Sequence, residues 1–287
     1  MNLGENKFGL QEIWEGVFNI YLEFARVCEE NNLRYFVSDG SALGAVRHGG
    51  FIPWDDDFDV SMPRPDYEKF MMIAEEKLPP HLKLVTWRNT REFALPLAKI
   101  QDSREDYVRN VETNYGTMLS NGIFIDILPI DGAAPTKLGR IIADKWFRIR
   151  RVLMRFWCGS FSLQTNKGKI YWLSGMILSP LFPWLWGRRR LLASYEASAK
   201  SHYYDESLLT IRPCSNVSYR RKPIPRVGWG TPRSVEFGES LIKVAEMTKE
   251  YLIAEYGDFM KYPPEDKRHP THQYTWRSPW WLGPTDQ

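Results

Sequence analysis

The chain has 287 residues, 43 % hydrophobic and 25 % charged, with 38 Lys and Arg against 35 Asp and Glu for a formal charge of +3. That length suits one large domain or two modest ones and supports a core without disulfides or structural metal. The balance excludes disorder, collagen-like repeats and coiled coil, and three widely spaced cysteines (Cys28, Cys158, Cys214) make neither a disulfide framework nor a zinc knuckle. The first sixteen residues show no basic segment leading into an apolar run. No signal peptide is visible, and a cytoplasmic location is expected.

From Leu10 to Cys28, apolar residues recur at helical spacing, and Asn31-Asn32 ends the predicted helix. Arg34 to Asp39 reads as a short strand broken by Gly40. Ser41 to Arg47 reads as a helix stopped by His48-Gly49-Gly50. A loop over Phe51–Trp54 precedes the acidic run Asp55-Asp56-Asp57-Phe58-Asp59, which continues into Val60-Ser61-Met62. Pro63 and Pro65 punctuate. Asp66 to Lys77 then looks helical, with Tyr67, Phe70, Met71 and Ala74 inward. Leu82–Trp87 and Leu95–Ile100 are strand candidates, the second an edge or a bulge because of Pro96. Ile123 to Leu128 is the most strand-like run and is expected to end at Pro129, with Asp131 beside Gly132 as a turn residue. The alternation of helix and strand predicts an α/β or α+β layer.

After Gly132 the character changes. Residues 136–157 are basic and helical, and 170–187 carry no charge but are interrupted by Pro180 and Pro183. From Lys137 to Arg190 there are twelve basic residues, one acid (Asp144) and five of the twelve tryptophans. That stretch carries +11 and the remainder −8. The length of 170–187 nearly permits a membrane span, yet its prolines argue against a continuous helix. An interfacial segment at an anionic membrane is the expected reading of residues 137–190, against a small helical lobe with a solvated basic face. Nucleic acid is not an expected partner. Residues 211–235 read as loop, and Phe237 to Tyr256 as a final helix with Leu241, Val244, Ala245, Tyr251 and Leu252 on one face.

The chemistry concentrates in Asp39-Gly40-Ser41 and Asp55–Asp59. A Gly-Ser turn opening a helix presents backbone N–H groups and a positive dipole end to an anion, most naturally phosphate. In a strand Asp57 and Asp59 share a face. Two adjacent carboxylates repel unless a cation sits between them, and hard oxygen ligands favour Mg²⁺ or Mn²⁺. Asp126, inside an apolar run, needs a metal or a proton to offset its burial. Together these are the parts of metal-assisted phosphoryl transfer. Asp55 and Asp56 are read as accessory or structural.

Gly40 to His48 followed by Gly50 to Asp59 resembles the signature of the LicD family, which holds bacterial phosphocholine transferases and has the fukutin-type proteins as relatives. Phe124–Gly132 resembles its second block and Tyr256–Arg268 its C-terminal one. The resemblance implies a nucleotidyltransferase-like mixed sheet flanked by helices, a CDP-activated donor such as CDP-choline, and Mg²⁺ or Mn²⁺. It also implies transfer of a phosphorylated group to a glycan or lipid-linked glycan hydroxyl of a cell-surface polysaccharide or teichoic acid. By position, Asp57, Asp59 and Asp126 would be catalytic and hold the metal. Gly40 and Ser41 would contact the donor phosphates, with Arg47 and His48 as further diphosphate contacts. Many members have Gly-Gly-Thr where this chain has Asp39-Gly40-Ser41, so Asp39 adds a negative charge near the donor.

Trp54 is read either as a wall of the nucleotide site or as core. Lys267, Arg268, His269 and His272 are read as a solvated tail, with reach to the site as the alternative. A choline donor would need an aromatic box, whose members the sequence does not identify. The expected organisation is a catalytic core over 1–135, a basic, aromatic helical insertion over 136–205, and a C-terminal region over 206–287 completing the catalytic domain. The expected location is cytoplasmic, peripheral on the inner face of the membrane. The competing activities are transfer of a whole nucleotide to a small molecule or protein, and non-catalytic nucleotide binding at a membrane.

Overall fold

The computed structural model describes residues 3–4, 7–90, 93, 95–104, 107–109, 122–157, 166–181, 187–214, 223–270 and 274–276. As the apolar spacing predicts, helix α1 (Gln11–Glu30) buries Ile13, Trp14, Val17, Tyr21, Phe24 and Cys28 on one face and ends at Asn31. The two-residue strand β1 (Phe36–Val37) leads into α2 (Asp39–His48), which stops at Gly49 in the left-handed region, φ 66°. This helix starts two residues ahead of the expected Ser41. Next come β2 (Asp59–Pro63), α3 (Arg64–Lys77), β3 (Leu82–Thr86), β4 (Ala98–Asp102), β5 (Tyr107–Arg109) and β6 (Phe124–Gly132).

Three helices follow, α4 (Lys137–Trp157), α5 (Asn166–Leu178) and α6 (Arg188–Ala199). The last third adds β7 (Leu209–Ile211), β8 (Ile224–Pro225), α7 (Arg226–Trp229), β9 (Arg233–Phe237), β10 (Ser240–Val244), α8 (Thr248–Tyr256) and β11 (Tyr274–Trp276).

Among the described residues one mixed sheet runs β3-β4-β6-β2-β1-β10-β9, with β7 and β8 extending the end of β6, while β5 and β11 pair apart from it. The pairs β1–β10 and β2–β6 are parallel and the others antiparallel. Val37, Val60, Met62, Ile125, Ile127 and Val244 cluster under α1 and α3. Phe36 and Ile130 pack on the opposite face with Leu43, Trp229, Tyr251 and Leu252 from α2, α7 and α8. Helices α4 and α6 have their own cluster around Phe147, Leu153, Leu191 and Tyr195. This is the mixed sheet flanked by helices, with a helical insertion, that the sequence implies.

Four expectations are corrected. The helix over Phe237–Tyr256 is a β9–β10 hairpin followed by the shorter α8, because Gly238 takes a left-handed turn at φ 60°. Phe237, Ile242 and Val244 point inward at strand period while Leu241 is exposed, so pairing beside β1 overrides the helical spacing. Pro96 lies outside β4, an interior strand between β3 and β6, so it makes neither edge nor bulge. The strand β6 runs past Pro129 to Gly132. Pro129 falls between the β4 pairing, which ends at Ile127, and the β7 pairing, which begins at Asp131, and this gap accommodates its missing N–H. Asp131 is therefore a fully buried strand residue, bound by two hydrogen bonds of 2.7 Å to Arg64, and not a turn.

Candidate active site

The start of β2 is set by Phe58. Its ring is fully buried among Phe18, Tyr21, Phe51 and Phe237, at centroid distances of 4.8–6.1 Å. Strand alternation then leaves Asp57 and Asp59 on the other, partly accessible side, although only Asp59 belongs to the strand proper. The Asp59 backbone is pinned to the start of α2. Its N–H donates to Ser41 Oγ at 2.9 Å, and its carbonyl accepts the Ser38 N–H at 3.0 Å. On the other side Asp126 N–H donates to Phe58 O at 2.9 Å, and Asp126 lies in register with Asp59 across β2–β6.

Ser41 is buried, and its hydroxyl holds the Asp59 backbone, a positioning role. Gly40 faces Asp55. A Cβ at residue 40 would stand 2.5 Å from Asp55 Oδ2, so only glycine leaves that carboxylate room. Burial pushes the Asp55 carboxyl well up, with repulsion from Asp57 and Asp56 adding to it. Asp59 is also pushed well up, by burial and then by Asp57, Asp39, Asp126 and Asp55. These neighbours place the carboxylates of Asp39, Asp55, Asp57, Asp59 and Asp126 within one another's fields.

Two of the five are compensated by cations. Asp126 forms an ion pair with Lys99 Nζ at 2.5 Å, the residue opposite it on β4. Asp39 holds a left-handed conformation at φ 48° and grips the buried Arg212 through both carboxylate oxygens. Arg212 also donates to Glu255 at 2.9 Å and stands 5.0 Å over the Tyr251 ring. The Asp39 N–H donates to the Tyr251 hydroxyl at 2.8 Å. The charge that Asp39 brings is thus neutralised within the fold.

A cationic, aromatic wall adjoins the carboxylates. Arg47 donates from Nε to His48 Nε2 at 3.0 Å and from Nη1 to the Phe259 carbonyl at 2.8 Å. Its guanidinium lies 5.0 Å from the Tyr262 ring and within the field of Asp55. His48 meets Trp54 and Tyr262 edge-on at 6.1 and 5.4 Å. Arg268 lies over both Trp54 and Tyr262, at 5.9 and 5.4 Å. Trp54 is half-buried and belongs to this wall as well as packing against a core cluster. Arg268 reaches the wall and is no solvated tail, whereas His269 is exposed and His272 lies outside the described residues.

The sequence does not single out Lys99, Arg212 or Tyr262 as site residues, and it places Tyr251 only on a helix face. Lys99 carries a signal, a lysine in an apolar strand that needs an acidic neighbour, and Tyr262 lies within the Tyr256–Arg268 block.

Among the described residues no group of three His, Cys, Asp or Glu side chains is arranged to hold a metal ion. The donor chemistry still fits a hard divalent cation at Asp57 and Asp59. Magnesium commonly takes one or two protein carboxylates and completes its shell with water and substrate phosphate.

Residues 32–154 match the family model described as LicD/FKTN/FKRP, nucleotidyltransferase domain, a span from just before β1 into α4. The chain is 27 % identical over 268 residues to the lipopolysaccharide cholinephosphotransferase LicD of Haemophilus influenzae, covering 93 % of this chain and 97 % of that protein. It is also 46 % identical over 47 residues to an uncharacterized protein of Rickettsia typhi, across 16 % of this chain and 15 % of that one.

Proposed function

We propose that the chain is a LicD-type phosphotransferase, in line with the matching domain model and the full-length similarity to a cholinephosphotransferase, and that it transfers a phosphorylated substituent, phosphocholine first among the candidates, from a CDP-activated donor to a hydroxyl of a lipopolysaccharide-type glycan. The observation that carries this reading is the juxtaposition of crowded carboxylates at Asp55, Asp57 and Asp59 with the Arg47–Arg268 wall. Carboxylates alone would repel a diphosphate, and arginines alone would bind one without activating it.

In this reading Arg47 and Arg268 hold the donor diphosphate, and the Trp54 and Tyr262 rings fix the two guanidinium planes. Asp57 and Asp59 hold a divalent cation, Mg²⁺ or Mn²⁺, which when bound neutralises charge on the diphosphate as CMP leaves. Asp126, kept in place by Lys99, accepts the proton of the attacking hydroxyl. The bond from the distal phosphorus to the CMP oxygen breaks as the new glycan oxygen–phosphorus bond forms.

The test is a donor screen with CDP-choline, CDP-ethanolamine, CDP-glycerol and CDP-ribitol in Mg²⁺. It follows CMP release and the mass of the modified glycan. CMP release with CDP-choline and a phosphocholine mass increment are expected. Addition of a whole nucleotide, or turnover undiminished in Asp57→Asn, overturns the reading.

A further inference from the structure

Helix α4 turns Phe147, Leu153 and Met154 inward against α6, yet Leu138, Ile141, Ile142 and Trp146 point out to solvent. Helix α5 adds Ile170, Trp172, Leu173, Met176 and Ile177, also exposed. The two helices touch directly, because a Cβ on Gly175 would lie 2.4 Å from the Phe156 ring. Leu138 is 67 % exposed and Ile177 59 %, and unlike the exposed apolar residues elsewhere, such as Met72 and Leu208, they sit among several others on the same two helices. Exposed apolar surface of this extent marks an interaction site.

We propose that the outward faces of α4 and α5 dock on an anionic lipid bilayer, with the helices lying in the interface. Charge complementarity selects this occupant. Lys137, Lys145, Lys169, Arg189 and Arg190 are exposed on these helices and at the start of α6. The one acid between residues 137 and 190, Asp144, is tied to Arg148 at 2.7 Å. A second copy would bring the same positive field against itself. An acidic protein partner would match the charge but not the uncharged outward face of α5, where no charge occurs from Ile170 to Leu181.

The geometry also restricts how the membrane is met. No helix among the described residues is long and apolar enough to cross one. The 13 residues of α5 span about 20 Å, short of the ~30 Å hydrocarbon core. Apolar residues outward, Trp146 and Trp172 among them, and lysines alongside are the composition of a helix at headgroup depth. This docking stands apart from the transfer chemistry and is tested without it.

The test sediments the full chain with vesicles of phosphatidylcholine alone or mixed with phosphatidylglycerol, at low and high salt. Anionic vesicles should bind the chain about tenfold or more tightly than neutral ones, since each basic side chain near the surface contributes about fivefold. Leu138→Asp with Ile142→Asp, and separately Leu173→Asp with Ile177→Asp, should cut binding at least about tenfold with unchanged thermal midpoint, because all four side chains are exposed. Lys137→Glu with Lys145→Glu should remove the preference for anionic lipid and its salt dependence, and these carry the test if an aspartate pair fails to fold. The proposal is overturned if the folded wild type ignores anionic vesicles, or if none of the pairs changes binding. It is equally overturned if the apolar face mediates a concentration-dependent dimer, or if the chain prefers duplex DNA to vesicles.

Discussion

Two parts of the molecule gather carboxylates, and they treat them in opposite ways. Between α3 and α6, Glu68, Asp131 and Glu196 meet Arg64, Arg88 and Lys200, each acid held by at least one cation. Burial pushes Glu68 upward, but Lys200 and Arg88 outweigh it and hold the carboxyl at about 2. At the start of β2 the forces resolved on Asp59, after burial, come from four other carboxylates. The first cluster pairs its charges within the fold, whereas burial and mutual repulsion raise the carboxyls of Asp55 and Asp59 in the second. A cavity of about 200 Å³ lined by Arg64, Tyr67, Thr86, Arg88 and Glu196 lies against the balanced cluster and shares no residue with the crowded one.

The contrast is open to direct tests. Asp59→Asn should lower transfer by about a thousandfold, the several kcal/mol that bound-metal stabilisation supplies, while raising the thermal midpoint because one repelling carboxylate is gone. CMP release and a melting curve on the same sample check both halves, and a lower midpoint breaks the comparison. Arg64→Met should cost about 3 kcal/mol or slightly more in denaturant unfolding, since Asp131 is left buried without its two bonds. Gly40→Ala should push the Asp55 carboxylate aside and reduce turnover about tenfold, the equivalent of 1.4 kcal/mol, with little change in midpoint.

The smallest effect is in the pH dependence. Glu68 has a folded value of about 2 against an ordinary 4.5. Its stabilisation is present above the ordinary value and disappears as pH falls through the folded one, about 1 kcal/mol after allowing for partial solvent screening. Glu68→Gln should flatten that acid limb in equilibrium unfolding. Asp59 has its folded value raised, so it destabilises the fold as pH rises above the ordinary carboxylate range. The difference curve for Asp59→Asn should therefore slope the other way.

The sequence carries the local half of this picture. The α1 face, the Gly49 stop and the alternation about Phe58 depend on neighbours within a few residues, and each is legible. Partners far apart in the chain are not. Asp131 looks like a turn residue beside Gly132 until Arg64, on the helix after β2, is seen to grip it. Asp39 reads as an excess charge because Arg212 lies on the far side of the helical insertion. The β9–β10 hairpin fails for a related reason. Leu241, Val244 and Ala245 satisfy a helical period, and only the open edge of β1 favours strand. The pairing of Asp57 with Asp59 follows from strand period, whereas the partner of Asp126, Lys99 on β4, lies on a strand that its own neighbours do not reveal.

The place of β10 beside β1 governs how the protein can be made. A nascent chain released only as far as residue 135 has synthesised every aspartate of the crowded cluster. It would still present the two residues of β1 as a raw sheet edge, with neither β10 nor the Tyr251 hydroxyl to seat Asp39. Completion waits for the ribosome to deliver β10 and α8. Asp39 is thus translated early and seated late, once Arg212 and Tyr251 have been delivered.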